Sequence, residues 1–239
     1  LHGQKLGQDP EQEGRSALTA QPEHPCAVPF VHSAASDPLA DGGGSYGKSS
    51  QKPQKPDAFA ATGQAHYHEL FQPLTPGFAY CEPNDLSDFE RIVSETKVAG
   101  VLLECVQGEG GVNVLDRDFV RGIADVCAQK DIILMIDEVQ TGNGRTGTLY
   151  AYMQYGIQPD VVTTAKGLGG GLPIGACLMG EKVEAVLGFG DHGSTFGGNP
   201  VACAGALNIL SRLDEQLLAG VRERSAYIRA RLEAICLVM

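Results

Sequence analysis

Two residues of opposite chemistry, Asp137 and Lys166, each close a short apolar run. Ile132-Ile133-Leu134-Met135-Ile136 stops at Asp137-Glu138, and Val161-Val162-Thr163-Thr164-Ala165 stops at Lys166. A carboxylate can hold the proton on a basic ring nitrogen and so make the ring an electron sink. A lysine that loses hydration at the end of a buried strand shifts toward the neutral amine, which forms a Schiff base with a carbonyl. The pair therefore suits a cofactor with a protonated ring nitrogen and an aldehyde. Gly167-Leu168-Gly169-Gly170-Gly171 follows the lysine and leaves backbone room for a planar group. Ser194-Thr195 come ahead of Asn199-Pro200, which read as the N-cap and first residue of a helix. Backbone N–H groups and hydroxyls at such a start can hold a phosphate.

Each element has a plainer reading when taken alone. Lys166 is then a solvated lysine before a Gly-rich turn, Asp137 a cap or turn residue, and Ser194-Thr195 a helix-entry loop. Their combination on separate strand ends is what points to one site. Nucleotide binding has little support. Gly108-x-Gly110-Gly111 is not G-x-G-x-x-G, and Gly167 to Gly171 does not match G-x-x-x-x-G-K-[ST]. His66-x-His68 has metal-pair spacing but no third ligand nearby, so a solvated or packed pair is expected and no metal.

The elements that must position these residues follow from periodicity. The two apolar runs are short and rich in β-branched residues, which predicts strands buried on both faces. In an open parallel sheet, ligands bind outside the carboxyl ends of the strands. Upstream, the pattern predicts a helix capped by Asn84 and running to about Lys97, with Leu86, Phe89, Ile92 and Val93 on one face. A buried strand, 100–106, follows. A helix from Asp116 to about Lys130 then turns Phe119, Val120, Ile123, Val126 and Cys127 inward. Helices alternating with buried strands imply an α/β fold, a mostly parallel sheet flanked by helices with right-handed crossovers. Past Asp137 come a Gly-rich loop, 141–147, a short helix at 149–155, a strand at 174–179 and a short helix at 181–187. Helices at 201–213 and 221–237 close the chain.

Residues 1–58 differ from the rest. They carry Gly42-Gly43-Gly44-Ser45 and two Lys-Pro pairs without apolar periodicity, so they are expected to be mostly disordered. Their one apolar cluster, Ala27 to Val31, is too short to nucleate a core alone. The formal net charge of -11 argues against phosphate-backbone binding, so no nucleic-acid partner is expected. No apolar stretch approaches the roughly 18 residues that a bilayer span needs, so no membrane partner is expected either. The 7 cysteines are odd in number with no C-x-x-C. Cys105, Cys127, Cys177 and Cys203 lie in apolar surroundings and read as core thiols of a reducing compartment. The chain begins at Leu1 with no visible signal peptide, and a processed, truncated or partial chain is expected. A cytoplasmic location is the first expectation, with an organelle such as a mitochondrion or plastid as the alternative.

Four segments, in order, carry a family resemblance. They are Glu104 to Gly111, Asp137-Glu138-Val139-Gln140 through Gly147, Thr164-Ala165-Lys166 through Gly171, and His192 through Pro200. Together they resemble class III pyridoxal-phosphate aminotransferases, those of the acetylornithine type above all, over about residue 59 to the C-terminus. The resemblance implies the large domain of the fold-type I transferases in part, at about 59–213, with 214–239 opening a small C-terminal domain. It implies pyridoxal 5′-phosphate as cofactor and Lys166 as the residue that holds it covalently and moves the substrate proton. Asp137 would partner the ring nitrogen, Val139 would pack on the ring and Gln140 would bond near its phenolic oxygen, with Glu138 in the same cofactor-binding group. Thr195 would hold the phosphate of the other subunit of a homodimer. Ser194 and Glu104 would lie near the substrate, Glu104 pairing with an arginine of the small domain. The implied reaction moves the terminal amino group of N-acetylornithine to 2-oxoglutarate in arginine biosynthesis. Ornithine and 4-aminobutyrate aminotransferases share these motifs and are the alternative substrates. The family's Gly-Thr phosphate loop, stacking aromatic and substrate arginine have no counterpart in residues 1–58, and Cys105 stands where the family usually has proline. An incomplete aminotransferase is therefore expected, and a non-catalytic chain is the rival reading.

Overall fold

The computed structural model describes residues 28–32, 61, 69, 74–109 and 111–236. Strand β1 (Val28–His32) lies in the span expected to lack order, and it pairs antiparallel with β2 (Phe78–Cys81) on one side and β3 (Val98–Leu103) on the other. The rest of residues 1–58 and the His66–His68 pair lie outside the described residues. A two-stranded hairpin, β4 (Val106–Gln107) and β5 (Asn113–Val114), follows β3. Strands β6 (Ile133–Asp137), β7 (Val161–Thr164) and β8 (Ala176–Met179) complete a six-stranded sheet of order β2-β1-β3-β6-β7-β8. Its centre, β3-β6-β7, is parallel, as the alternating pattern predicted, and β8 runs antiparallel to β7.

Helix α1 (Leu86–Glu95) starts one residue later than expected, because its cap is Asp85. The Asp85 carboxylate accepts the Asp88 amide at 3.1 Å. Asn84 instead takes a left-handed φ of 62° and accepts the Asp116 amide at 2.8 Å. It thereby joins the start of α1 to the start of α2 (Arg117–Lys130). Phe89, Ile92 and Val93 of α1 and Phe119, Val120, Ile123 and Cys127 of α2 form one core with Val101, Leu103, Leu134 and Ile136 of the sheet. Strand β6 is fully buried on that face alone. Leu134 and Ile136 are buried while Ile133, Met135 and Asp137 are half-buried, so the expected burial on both faces is corrected to one.

A short helix, α3 (Tyr152–Tyr155), precedes β7, and a 3-10 turn, Lys166–Gly169, follows it. Residues 181–185 form turns in place of the helix expected at 181–187, with Val186 donating to the Val183 carbonyl at 3.1 Å. Helix α4 (Pro200–Leu210) begins as predicted, with Asn199 Oδ1 accepting the amides of Val201 and Ala202. Helix α5 (Glu215–Cys236) starts earlier than Val221. Cys81, Cys105 and Cys127 are buried free thiols, but Cys177 is exposed and Cys203 half-buried, which corrects their assignment to the core. Cys177 sits on β8, where all four residues are exposed. Among the described residues no helix is long and apolar enough to cross a membrane.

Candidate active site

The site forms where β6 and β7 end side by side, with Asp137 paired in register with Thr163. Side chains alternate across a strand, and that alternation separates Asp137 from Glu138. Glu138 continues the buried series of Leu134 and Ile136, and is 0% exposed. Its Oε2 accepts from Thr141 Oγ1 at 2.5 Å and from the Ala151 amide at 3.0 Å, and its Oε1 accepts from the Tyr152 amide at 2.8 Å. Grouped in the sequence with the cofactor-binding residues, Glu138 is turned inward and its oxygens are occupied by this chain. It pins the Gly-rich loop to the start of α3.

Asp137 is half-buried on the opposite side. Its Oδ1 accepts the Val139 amide at 2.8 Å, and Oδ2 has no hydrogen-bond partner among the described residues. Lys166 lies past the end of β7 in a left-handed conformation, φ 46°, which the following glycines and the 3-10 turn accommodate. Its Nζ donates to Gln140 Oε1. Lys166 is exposed, so the desolvation expected at a buried strand end is not supplied by the described residues. Gln140 in turn packs against the turn after β4. A Cβ on Gly108 would fall 2.8 Å from Gln140 Cγ, so this close approach requires glycine.

That turn brings in Glu104. The Gly108 amide reaches Glu104 Oε2 at 3.4 Å. Burial pushes the Glu104 carboxyl above its ordinary value, and the nearby Asp137 charge adds to the rise; the Gly108 amide and the Lys166 charge pull the other way. Glu104, Asp137, Gln140 and Lys166 therefore form one constellation of two carboxyls, an amide and an amine. Among the described residues no arginine forms an ion pair with Glu104. Ser194 and Thr195 are exposed in the turn before α4, and no hydrogen bond among the described residues joins them to this constellation.

Asn143 belongs to the site's frame and was not singled out by sequence. Its Nδ2 donates to Thr164 Oγ1 at 3.0 Å and to the Ala165 carbonyl at 3.1 Å, which locks the Gly-rich loop to the residues just before Lys166. Two buried oxygens at this junction, Asn143 Oδ1 and Thr163 Oγ1, have no hydrogen-bond partner among the described residues. The available signal was an Asn-Gly pair, Asn143-Gly144, which favours the left-handed backbone that Asn143 adopts at φ 57°.

Residues 55–236 match the family described as Aminotransferase class-III. The acetylornithine aminotransferase of Haemophilus ducreyi is 48% identical over 176 residues, 74% of this chain and 45% of that protein. The succinylornithine transaminase of Yersinia pseudotuberculosis is 42% identical over 218 residues, 87% of this chain and 52% of that protein. Among solved structures, an ornithine aminotransferase from Toxoplasma gondii superposes with a TM-score of 0.68 at 38% identity, covering 72% of this chain and 41% of that one. The chain thus spans about half the length of the curated relatives it matches. The Toxoplasma gondii structure has partial occupancy of PLP at its active site.

Proposed function

The chain belongs to the class-III aminotransferases, and from that premise we propose that the crevice at Asp137 and Lys166 binds pyridoxal 5′-phosphate and moves an amino group from N-acetylornithine to 2-oxoglutarate in arginine biosynthesis. The observation that carries this reading is the Lys166–Gln140 contact beside Asp137 and Glu104. That donor set fits the ring end of the cofactor: an amine for its carbonyl, a carboxylate oxygen for its ring nitrogen and an amide for its phenolic oxygen. When bound, the cofactor supplies a carbonyl carbon that takes up an amino group and a ring that accepts an electron pair.

The roles of the chain's own residues follow from their surroundings. Asp137 keeps Oδ2 for the ring-nitrogen proton while the Val139 amide fixes Oδ1. Gln140 orients Lys166 Nζ through its Oε1 and retains its Nε2 donor for the phenolic oxygen. Lys166 Nζ would hold and move the substrate proton, the work of a positioned general acid–base. Val139 would lie against the ring. Ser194 and Thr195, on an exposed turn, would serve the site of a second copy of this chain, Thr195 at the phosphate and Ser194 near the substrate. Exposed Phe189 and Phe196 flanking that turn support such a partner. Six free cysteines without a disulfide among the described residues fit a reducing cytoplasm.

The acyl-ornithine donor is preferred because both curated relatives above are named for acyl-ornithine substrates. Glutamate formation by the purified, cofactor-supplemented chain tests it with N-acetylornithine, N-succinylornithine, ornithine and 4-aminobutyrate as donors. A higher kcat/KM for N-acetylornithine than for ornithine is expected. The reverse order would overturn the substrate, and cofactor binding without any turnover would favour the non-catalytic reading.

A further inference from the structure

The hairpin β4–β5 hangs from a neck formed by Cys105 and Leu115, and Glu104 sits directly before that neck. The neck is closed by the Leu115 amide donating to the Cys105 carbonyl at 3.1 Å. The buried Tyr155 hydroxyl reaches both neck carbonyls, Cys105 O at 3.1 Å and Leu115 O at 2.9 Å. Tyr155 is the last residue of α3, whose first amides are held by Glu138. Arg121 of α2 fixes the other end of α3, its Nε donating to the Tyr155 carbonyl at 2.7 Å. A single four-residue helix thus connects the strand end that carries Asp137 and Gln140 to the turn that carries Glu104.

We propose that Tyr155 is a positioning residue, which acts through the neck of the β4–β5 hairpin to hold Glu104 against Asp137, Gln140 and Lys166, with the Glu138-anchored helix α3 as its fixed mount. This rests on the reading of the crevice as a cofactor site and gives that site its second wall. A phenylalanine would fill the same core volume. The tie from α3 to the neck would be lost: the Leu115 amide still satisfies Cys105 O, and Leu115 O loses its hydroxyl donor.

The test is Tyr155→Phe in the full chain, with two readouts. In the protein without cofactor, amide exchange at Gly108 speeds up by about fivefold to tenfold, the loss of one hydrogen bond's worth of local protection, while exchange in the core of α2 stays unchanged. In the cofactor-supplemented protein, the pH midpoint of the Lys166-dependent visible band moves, because Glu104 lies within electrostatic reach of that lysine. Unchanged Gly108 exchange together with an unchanged midpoint, whatever happens to the melting temperature, would overturn the proposal. Should Tyr155→Phe fail to fold, Arg121→Met releases the same helix from outside the core and carries the same two expectations. Absence of any lysine-dependent band in the wild type would sink the cofactor reading. The exchange measurement would still decide the role of Tyr155.

Discussion

Replacing Glu138 tests how the loop behind Asp137 is held. The fully buried side chain accepts three hydrogen bonds, two of them from backbone amides. In Glu138→Gln one oxygen becomes a donor. If the amide nitrogen lies at the Oε2 position, Thr141 can rotate its hydroxyl to accept, but the Ala151 amide faces a donor. If it lies at the Oε1 position, the Tyr152 amide does. Either way one amide is left facing a donor, which costs about 2 kcal/mol. Glu138→Ala strands both amides and opens a cavity, so its cost is about 4 kcal/mol or more. Urea unfolding with a common slope measures both. The expected order is wild type, then Gln, then Ala. A Glu138→Gln variant within about 0.5 kcal/mol of wild type would refute the claim that acceptance at both oxygens fixes α3.

Four further outcomes follow from other residues. Glu104→Gln flattens the pH dependence of stability above the ordinary carboxyl value of 4.5. A carboxyl raised by burial contributes stability below its unfolded pKa and loses it as pH rises through its folded pKa. Urea melts from acid to neutral pH should therefore show the variant gaining on wild type as pH rises. Gly108→Ala and Gly142→Ala should separate binding from folding. At Gly108 the new Cβ meets the Gln140 side chain, so cofactor affinity falls with little loss of stability, as titration by absorbance would record. At Gly142 it would lie 2.7 Å from the Glu138 carbonyl oxygen, which cannot yield, so the melting temperature falls sharply. Asn199→Ala removes the acceptor of two amides at the start of α4 and should cost about 1 kcal/mol in urea unfolding.

The parts of the site legible in sequence were those set by local pattern. The apolar runs at 132–136 and 161–165 announced β6 and β7, and the polar residues that stop them, Asp137 and Lys166, fall at the adjacent strand ends. Asn199-Pro200 announced α4 because capping is a property of neighbouring residues. Long-range effects were not legible. Val28–His32 becomes a strand inside the sheet only by pairing with β2 and β3, to which no local periodicity points. Asn84 and Asp85 are both competent caps, and the choice fell to Asp85 because Asn84 was drawn to the Asp116 amide across the fold. Glu138 could have been separated from Asp137 by carrying the strand alternation one residue further. Cys177 has the composition of a core residue, but the edge position of β8 leaves it exposed.

The central claim is that Lys166, oriented by Gln140 beside Asp137, is the covalent anchor of a pyridoxal 5′-phosphate site. Its most direct measurement is the visible absorption spectrum of the purified chain on adding the cofactor, beside that of Lys166→Ala. A saturable band in the wild type that is absent from Lys166→Ala is the predicted result. An equal band in both proteins, or none in the wild type, would contradict it.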